Sequence, residues 1–247
     1  MSAEREARLA TLFVFGSDRE LAESAANNWL DEIAMAQRER KPHRVALSGG
    51  RITLKLFAAV IESAKARRIS LGNVDFFWAD ERCVPPTDPE SNFAAVEKFF
   101  SQPLGLAPER IHRIRGEDSP ESAAREAEAE ICRIAPLNDN GLPVLDLILL
   151  GMGEDGHVAS LFPGETEFGP ASQRAYRAVT NSPKPPPNRV TLTYAAIAAA
   201  RQVWVLASGA AKEDAFRASS RPDGKTPLAR VLRSRQDTRV FTDIRMS

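Results

Sequence analysis

Residues 151–157 read Gly-Met-Gly-Glu-Asp-Gly-His, directly after an apolar run at 145–151. An imidazole two residues from a carboxylate is the smallest set that supports general-base catalysis. The neutral ring takes a proton, and the acid orients it and steadies its charged form. The same stretch also fits G-x-G-x-x-G, the dinucleotide fingerprint, through Gly151, Gly153 and Gly156. That reading fails on charge, because Glu154 and Asp155 sit inside the turn that a pyrophosphate must approach. It fails on context too: the acid expected about 20 residues on is missing, that place holding Ala175-Tyr-Arg-Ala-Val179. Asp155 and His157 are therefore the catalytic candidates, with His157 at the mouth of a short helix. The bland alternative makes Asp155 a helix cap and His157 a solvated first-turn residue; the strand position and the three glycines favour catalysis.

Three further segments supply anion-binding chemistry. Ser48-Gly49-Gly50-Arg51 follows an apolar run and opens a helical pattern. Glycine N–H groups and a helix N-terminus can cradle one phosphate there, with Ser48 or Thr53 adding hydroxyls and Arg51 a charge. Asp80-Glu81-Arg82 lies just past another apolar run, so these charges belong at the rim of the core. Arg82 can grip a phosphate, while a structural ion-pair knot fits Asp80 and Glu81 at least as well. Lys212, after Ser208-Gly209-Ala-Ala, starts another helix; Arg189, after the proline-rich stretch, is a similar cation.

Other chemistries lack support. The nucleophile elbow G-x-S-x-G is absent, and neither H-E-x-x-H nor paired Cys-x-x-Cys occurs. No metal and no cofactor is expected. His43 and His112, each beside a basic residue, read as surface groups; Cys83 and Cys132 read as structural thiols, with Cys83 open to mild activation by Arg82. Thirty-three basic residues balance 33 acidic ones, so no global field favours nucleic acid or an anionic membrane. The N-terminal stretch lacks a signal-peptide apolar core, and no segment approaches membrane-spanning length. A cytoplasmic protein is the expectation, with the oligomeric state left open, a monomer included.

These residues need elements to hold them. Strands are expected at 11–15, 44–48, 74–79, 145–151, 189–194, 202–208 and 239–243, most apolar on both faces as in a sheet covered twice. Helices are expected at 17–38, 51–67, 91–101, 119–134, 210–219 and 225–234. The alternation predicts an α/β fold with a mostly parallel, doubly wound sheet and ligands at the carboxyl ends of the strands. Residues 1–247 read as one domain, since the proline-rich 182–188 is too short for a tether and reads as a stiff loop beside a site.

Taken together, the segments from about 44 to 216 resemble the 6-phosphogluconolactonase family. The most specific part is Asp146–Gly164, close to the family's D-L-x-L-L-G-M-G-x-D-G-H-T-A-S-L-F-P-G; also matching are 80–85 with 91–93, 182–193, and Gly209-Ala-Ala-Lys212. The chain departs from the family at Arg51-Ile52-Thr53, where S-T-P is usual, at Asp88, where histidine is common, and at Val158, where threonine is usual. The resemblance implies a three-layer α/β/α sandwich, shared with sugar-phosphate deaminases and isomerases. It implies metal-independent hydrolysis of a sugar-phosphate lactone, 6-phosphogluconolactone, by water. His157 would be the general base and Asp155 its orienting acid, with Ser48, Gly49, Gly50, Arg51, Thr53, Arg82, Arg189 and Lys212 on the substrate. The rivals are an isomerase or deaminase of the same fold and a non-catalytic sugar-phosphate sensor.

Overall fold

A computed structural model describes residues 10–165, 173–235 and 237–245. In chain order the strands are β1 (Thr11–Val14), β2 (His43–Leu47), β3 (Val74–Trp78), β4 (Asp80–Arg82), β5 (Leu147–Gly151), β6 (Tyr176–Val179), β7 (Arg189–Leu192), β8 (Gln202–Ala207) and β9 (Thr238–Thr242). The α-helices are α1 (Asp18–Arg38), α2 (Arg51–Arg67), α3 (Asn92–Val96), α4 (Gln102–Leu104), α5 (Pro120–Ile134), α6 (Tyr194–Ala199), α7 (Glu213–Ser220) and α8 (Pro227–Ser234). A wider π turn over Glu97–Ser101 joins α3 to α4.

Six strands form a parallel sheet in the order β1-β9-β8-β5-β2-β3. Every residue of β3 is buried, as a strand covered on both faces requires. From β2 the chain steps to β3 in one direction, while β5, β8 and β9 step away in the other. Right-handed crossovers then put α1 and α2 on one face and α7 and α8 on the opposite one. This is the mostly parallel three-layer sandwich expected. The reversal of direction opens a crevice between the carboxyl ends of β2 and β5, the place where such sheets bind ligands.

The helices carry their own start signals. Ser17 caps α1 by accepting the Glu20 N–H, and Ser119 caps α5 with Pro120 in the first turn. Leu21, Ala25, Trp29 and Ile33 form the buried stripe of α1, and Trp29 meets Phe76 of β3 and Phe100 of the π turn at ring distances of 6.5 and 6.1 Å.

Several features depart from the sequence reading. The 189–194 segment is a strand only to Leu192, and it belongs to a second sheet, antiparallel, in the order β4-β7-β6. Thr193 caps the unforeseen α6 by accepting the Ala196 N–H. The two sheets share Ala79: its N–H donates to Leu47 of β2 at 2.7 Å and its carbonyl accepts from Leu192 of β7 at 2.7 Å.

His43 is buried and the His112 side chain is only 8% exposed, so neither is a surface group. His112 stacks on Phe77 at 4.8 Å, with Nδ1 2.9 Å from a Glu130 oxygen. His43 Nε2 accepts the Trp29 indole N–H at 3.1 Å, which requires that nitrogen to be unprotonated. Burial pushes its proton affinity down to about 4, against an ordinary 6.5. The unfolded chain thus binds a proton that the folded chain refuses. The stability involved is complete above pH 6.5 and is lost as pH falls towards 4. The loss reaches about 3 kcal/mol at most. Urea midpoints measured from pH 7 to 4 should fall for the wild type and fall much less for His43→Gln; parallel curves would remove His43 as the cause.

Candidate active site

The turn after β5 is built around His157. The Gly153 N–H donates to the His157 carbonyl at 2.9 Å, and the Gly156 N–H donates to the Gly153 carbonyl at 3.0 Å, so the segment closes on itself. Gly156 has φ +79°, a conformation that favours glycine, and its carbonyl accepts the Leu228 N–H of α8 at 3.0 Å. At Gly153 the constraint is space: a Cβ there would lie 2.0 Å from both Cε1 and Nδ1 of His157. The imidazole occupies the room that the missing side chain leaves.

Asp155 Oδ1 lies 2.5 Å from His157 Nδ1 and also accepts the His157 backbone N–H at 3.3 Å. An ionised carboxylate only accepts, so the proton sits on Nδ1 and Nε2 keeps its lone pair. Burial lowers the proton affinity of His157 below the ordinary 6.5, overcoming the opposing pull of Asp155. Burial pushes the Asp155 carboxyl the other way, upward, but its bond to His157 prevails and holds it below the usual value. The pair at neutral pH is therefore a carboxylate and a neutral imidazole.

Among the described residues, no helix starts at His157. Residues 158–165 make turns with a short Val158–Leu161 bridge, and Ala159 takes φ +49° before Pro163 and Gly164. Asp155 therefore caps no helix. Phe162 returns from these turns to pack against the imidazole at 4.9 Å.

Across the crevice, the end of β2 supplies an anion cradle. Gly50 precedes α2 and provides no side-chain cap, which leaves first-turn N–H groups of α2 available. Ser48 Oγ is buried without a hydrogen-bond partner among the described residues and lines the cleft. A Cβ on Gly49 would fall 2.0 Å from Asn92 Oδ1, so the turn lies directly on that side chain. Arg51 also lines the cleft. Thr53 does not: it is buried, and its hydroxyl donates to the Gly49 carbonyl at 3.2 Å.

The remaining walls come from β4, β7 and the turn before α7. Asp80, Arg82, Arg189 and Lys212 line the same cleft as Ser48, Gly49, Gly50, Arg51 and His157, around about 550 Å³ of space open to solvent. Four cations thus face one hollow of a chain whose net charge is zero. Burial, and Arg51 beside it, lower the proton affinity of Lys212; Arg189 is lowered by burial and by Arg82. Arg82 is steadied by the Glu90 carbonyl at 2.6 Å. Arg189 spends most of its guanidinium on the proline-rich loop, donating to the carbonyls of Lys184, Pro185 and Pro186 at 3.2, 2.9 and 3.1 Å.

Asp80 and Glu81 do not form an ion-pair knot. Glu81 accepts the backbone N–H groups of Arg82, Asn92 and Phe93, each at 2.7 Å, and so fixes the start of α3. Asp80 accepts the Ser160 hydroxyl at 2.7 Å and faces the cleft. Sequence reasoning missed Asp80 and Asn92 as cleft residues; the only signal was their placement in the matching segments at 80–85 and 91–93. Cys83 is no activated thiol, since burial raises it to about 11. Among the described residues no three His, Cys, Asp or Glu side chains converge as a metal-ligand set, and no helix is long and apolar enough to cross a membrane.

A family model described as glucosamine-6-phosphate isomerases/6-phosphogluconolactonase matches residues 16–241. The chain belongs to this family. Its similarity runs to the lactonase members. It is 40% identical over 205 residues to a 6-phosphogluconolactonase of Streptomyces coelicolor, covering 80% of this chain and 78% of that one. It is 35% identical over 193 residues to one of Haemophilus influenzae, covering 78% and 80%. The crystal structure of 6-phosphogluconolactonase from Leishmania guyanensis superposes with a TM-score of 0.81 at 26% identity, covering 94% of this chain and 96% of that one. The chain is thus a hydrolase of carbohydrate metabolism.

Proposed function

We propose that the chain hydrolyses 6-phospho-D-glucono-1,5-lactone to 6-phospho-D-gluconate in the cytoplasm, using its own side chains and no metal. The observation that carries this reading is the neutral His157, held through Nδ1 by Asp155, facing the same cleft as an uncapped helix N-terminus and four cations. The substrate phosphate binds Ser48, Gly49, Gly50 and Arg51, with Arg82 and Lys212 adding charge; Thr53 supports the turn from behind. His157 Nε2 takes a proton from water as the water oxygen attacks the lactone carbonyl carbon. The resulting oxyanion is steadied by backbone N–H groups of a glycine turn. Collapse breaks the bond to the ring oxygen, which recovers the proton from the imidazolium. Phosphate binding remote from the carbonyl orients the reacting end.

The test is proton release from freshly generated lactone in the presence of EDTA, with the spontaneous rate subtracted at each pH. Turnover well above background is expected. The acid limb of kcat/KM should have its midpoint below 6.5, because burial disfavours the imidazolium. Background rates with the lactone, together with turnover of glucosamine 6-phosphate, would move the reading to the deaminase branch. Background rates with both, together with tight binding of a sugar phosphate, would move it to a sensor.

A further inference from the structure

Lys184 sits in the proline-rich loop between β6 and β7, and its ammonium lies 3.6 Å from Asp155 Oδ1. That oxygen is the one that receives the His157 ring N–H. The loop beneath it is tied in place. The Lys184 carbonyl accepts from the Ser182 hydroxyl at 2.9 Å and from Arg189 at 3.2 Å, while its N–H donates to Ser182 Oγ at 3.2 Å. Arg189 binds the next two carbonyls as well, and the Ser182 N–H donates to the Pro187 carbonyl at 2.8 Å. With the backbone already fixed, the only freedom the lysine gives up on settling against the carboxylate is that of its own side chain.

We propose that Lys184 is a positioning residue, the outer member of a Lys184–Asp155–His157 chain that Arg189 braces from behind. Its ammonium competes for the Asp155 charge that would otherwise stabilise a protonated His157. It also opposes the imidazolium directly as a like charge. Lys184 therefore keeps the ring neutral to lower pH, and it fixes the carboxylate oxygen against which the ring is aligned. The groups facing His157 are Asp155 from its own turn, Lys184 from the loop and Asp80 from β4. Arg189 of β7 is one layer further out, its guanidinium 5.7 Å from the centre of the Phe162 ring that packs on the imidazole. Besides burial, the two carboxylates raise the His157 proton affinity and Lys184 lowers it.

The structural claim can be tested without any substrate; only its catalytic consequence rests on the proposed lactonase reaction. The chain has three histidines, so the imidazole NMR signals of the free protein can be followed through pH and His157 assigned by its loss in His157→Gln. In Lys184→Met the His157 midpoint should rise by about half a pH unit or more. Lys184→Arg, which keeps the charge, should stay with the wild type, and Asp155→Asn should move the midpoint down. With lactone, the acid limb of kcat/KM should follow the same order while KM changes little. Lys184 is partly exposed, so Lys184→Met should fold normally, which tryptophan fluorescence checks. An unmoved midpoint in Lys184→Met, or an equal rise in Lys184→Arg, overturns the assignment. A wild type that titrates as expected but does not turn over lactone overturns the lactonase reading and leaves Lys184 standing.

Discussion

His157→Ala should lower kcat on the lactone by about 10³-fold while KM stays within a few-fold of the wild type. General-base transfer contributes about 10²–10⁴-fold, or about 3–5 kcal/mol of barrier. The separation of kcat from KM follows from the geometry. The base belongs to the turn after β5, whereas the anion cradle belongs to β2, α2 and the turn before α7, none of which the substitution touches. Folding should survive, because Asp155 keeps Lys184 as an ionic partner and the imidazole is partly open to the cleft. Single-turnover measurement beside the uncatalysed rate is the check. A loss under about tenfold would falsify the base assignment, since so small a change lies below the range for proton transfer.

Gly153→Ala should cost about 10²-fold in kcat although it adds one methyl group. The added Cβ would lie 2.0 Å from two imidazole atoms and 2.8 Å from Asp155 Oδ1, so the ring and its carboxylate must both yield. A shift of about 1 Å in a catalytic group is enough for a loss of that size. Backbone strain is not the cause, for Gly153 is not among the residues with positive φ. The unfolding midpoint should therefore change far less than the rate. Gly151→Ala is the matched control: its Cβ would meet only the Gly49 carbonyl, at 3.5 Å, an ordinary contact. If the two alanine variants lose activity equally, steric displacement of His157 is not what the Gly153 methyl does.

The contrast between these glycines shows how the sequence was readable and where it was not. A glycine at 153 next to an acid and a histidine pointed to a site, but only the position of the imidazole explains why no larger residue fits. The strands of the main sheet were legible because runs such as Leu147–Leu150 are apolar on both faces, a pattern that burial within a parallel sheet imposes. The second sheet was not. Its β4 is three charged residues that look like a rim, and it pairs with β7 more than 100 positions away, which no local pattern encodes. The helix foreseen after His157 failed for a local reason, since Ala159 turns left-handed and Pro163 and Gly164 follow before a second turn could form. His43 and His112 misled because basic neighbours in sequence, Arg44 and Arg113, say nothing about which way a strand or loop side chain faces. Arg189 was legible as a cation of the cleft, but not the further part it plays, in which three loop carbonyls take most of its donors.

The crevice between β2 and β5 also fixes when this molecule can begin to work as it folds. The two strands are neighbours in space, yet the backbone N–H of Arg44 at the start of one meets the Asp146 carboxylate at the entrance of the other across 102 residues of chain. Everything from α2 to α5 must be looped out before the phosphate cradle and the base face each other. Closing a loop of that length delays non-local pairing relative to the helices it contains. Catalytic competence should accordingly be a late event in refolding, with circular dichroism recovering its helical signal before turnover returns. The enzyme that finally appears is assembled by contacts between segments about a hundred residues apart, not by any of the motifs that announce it.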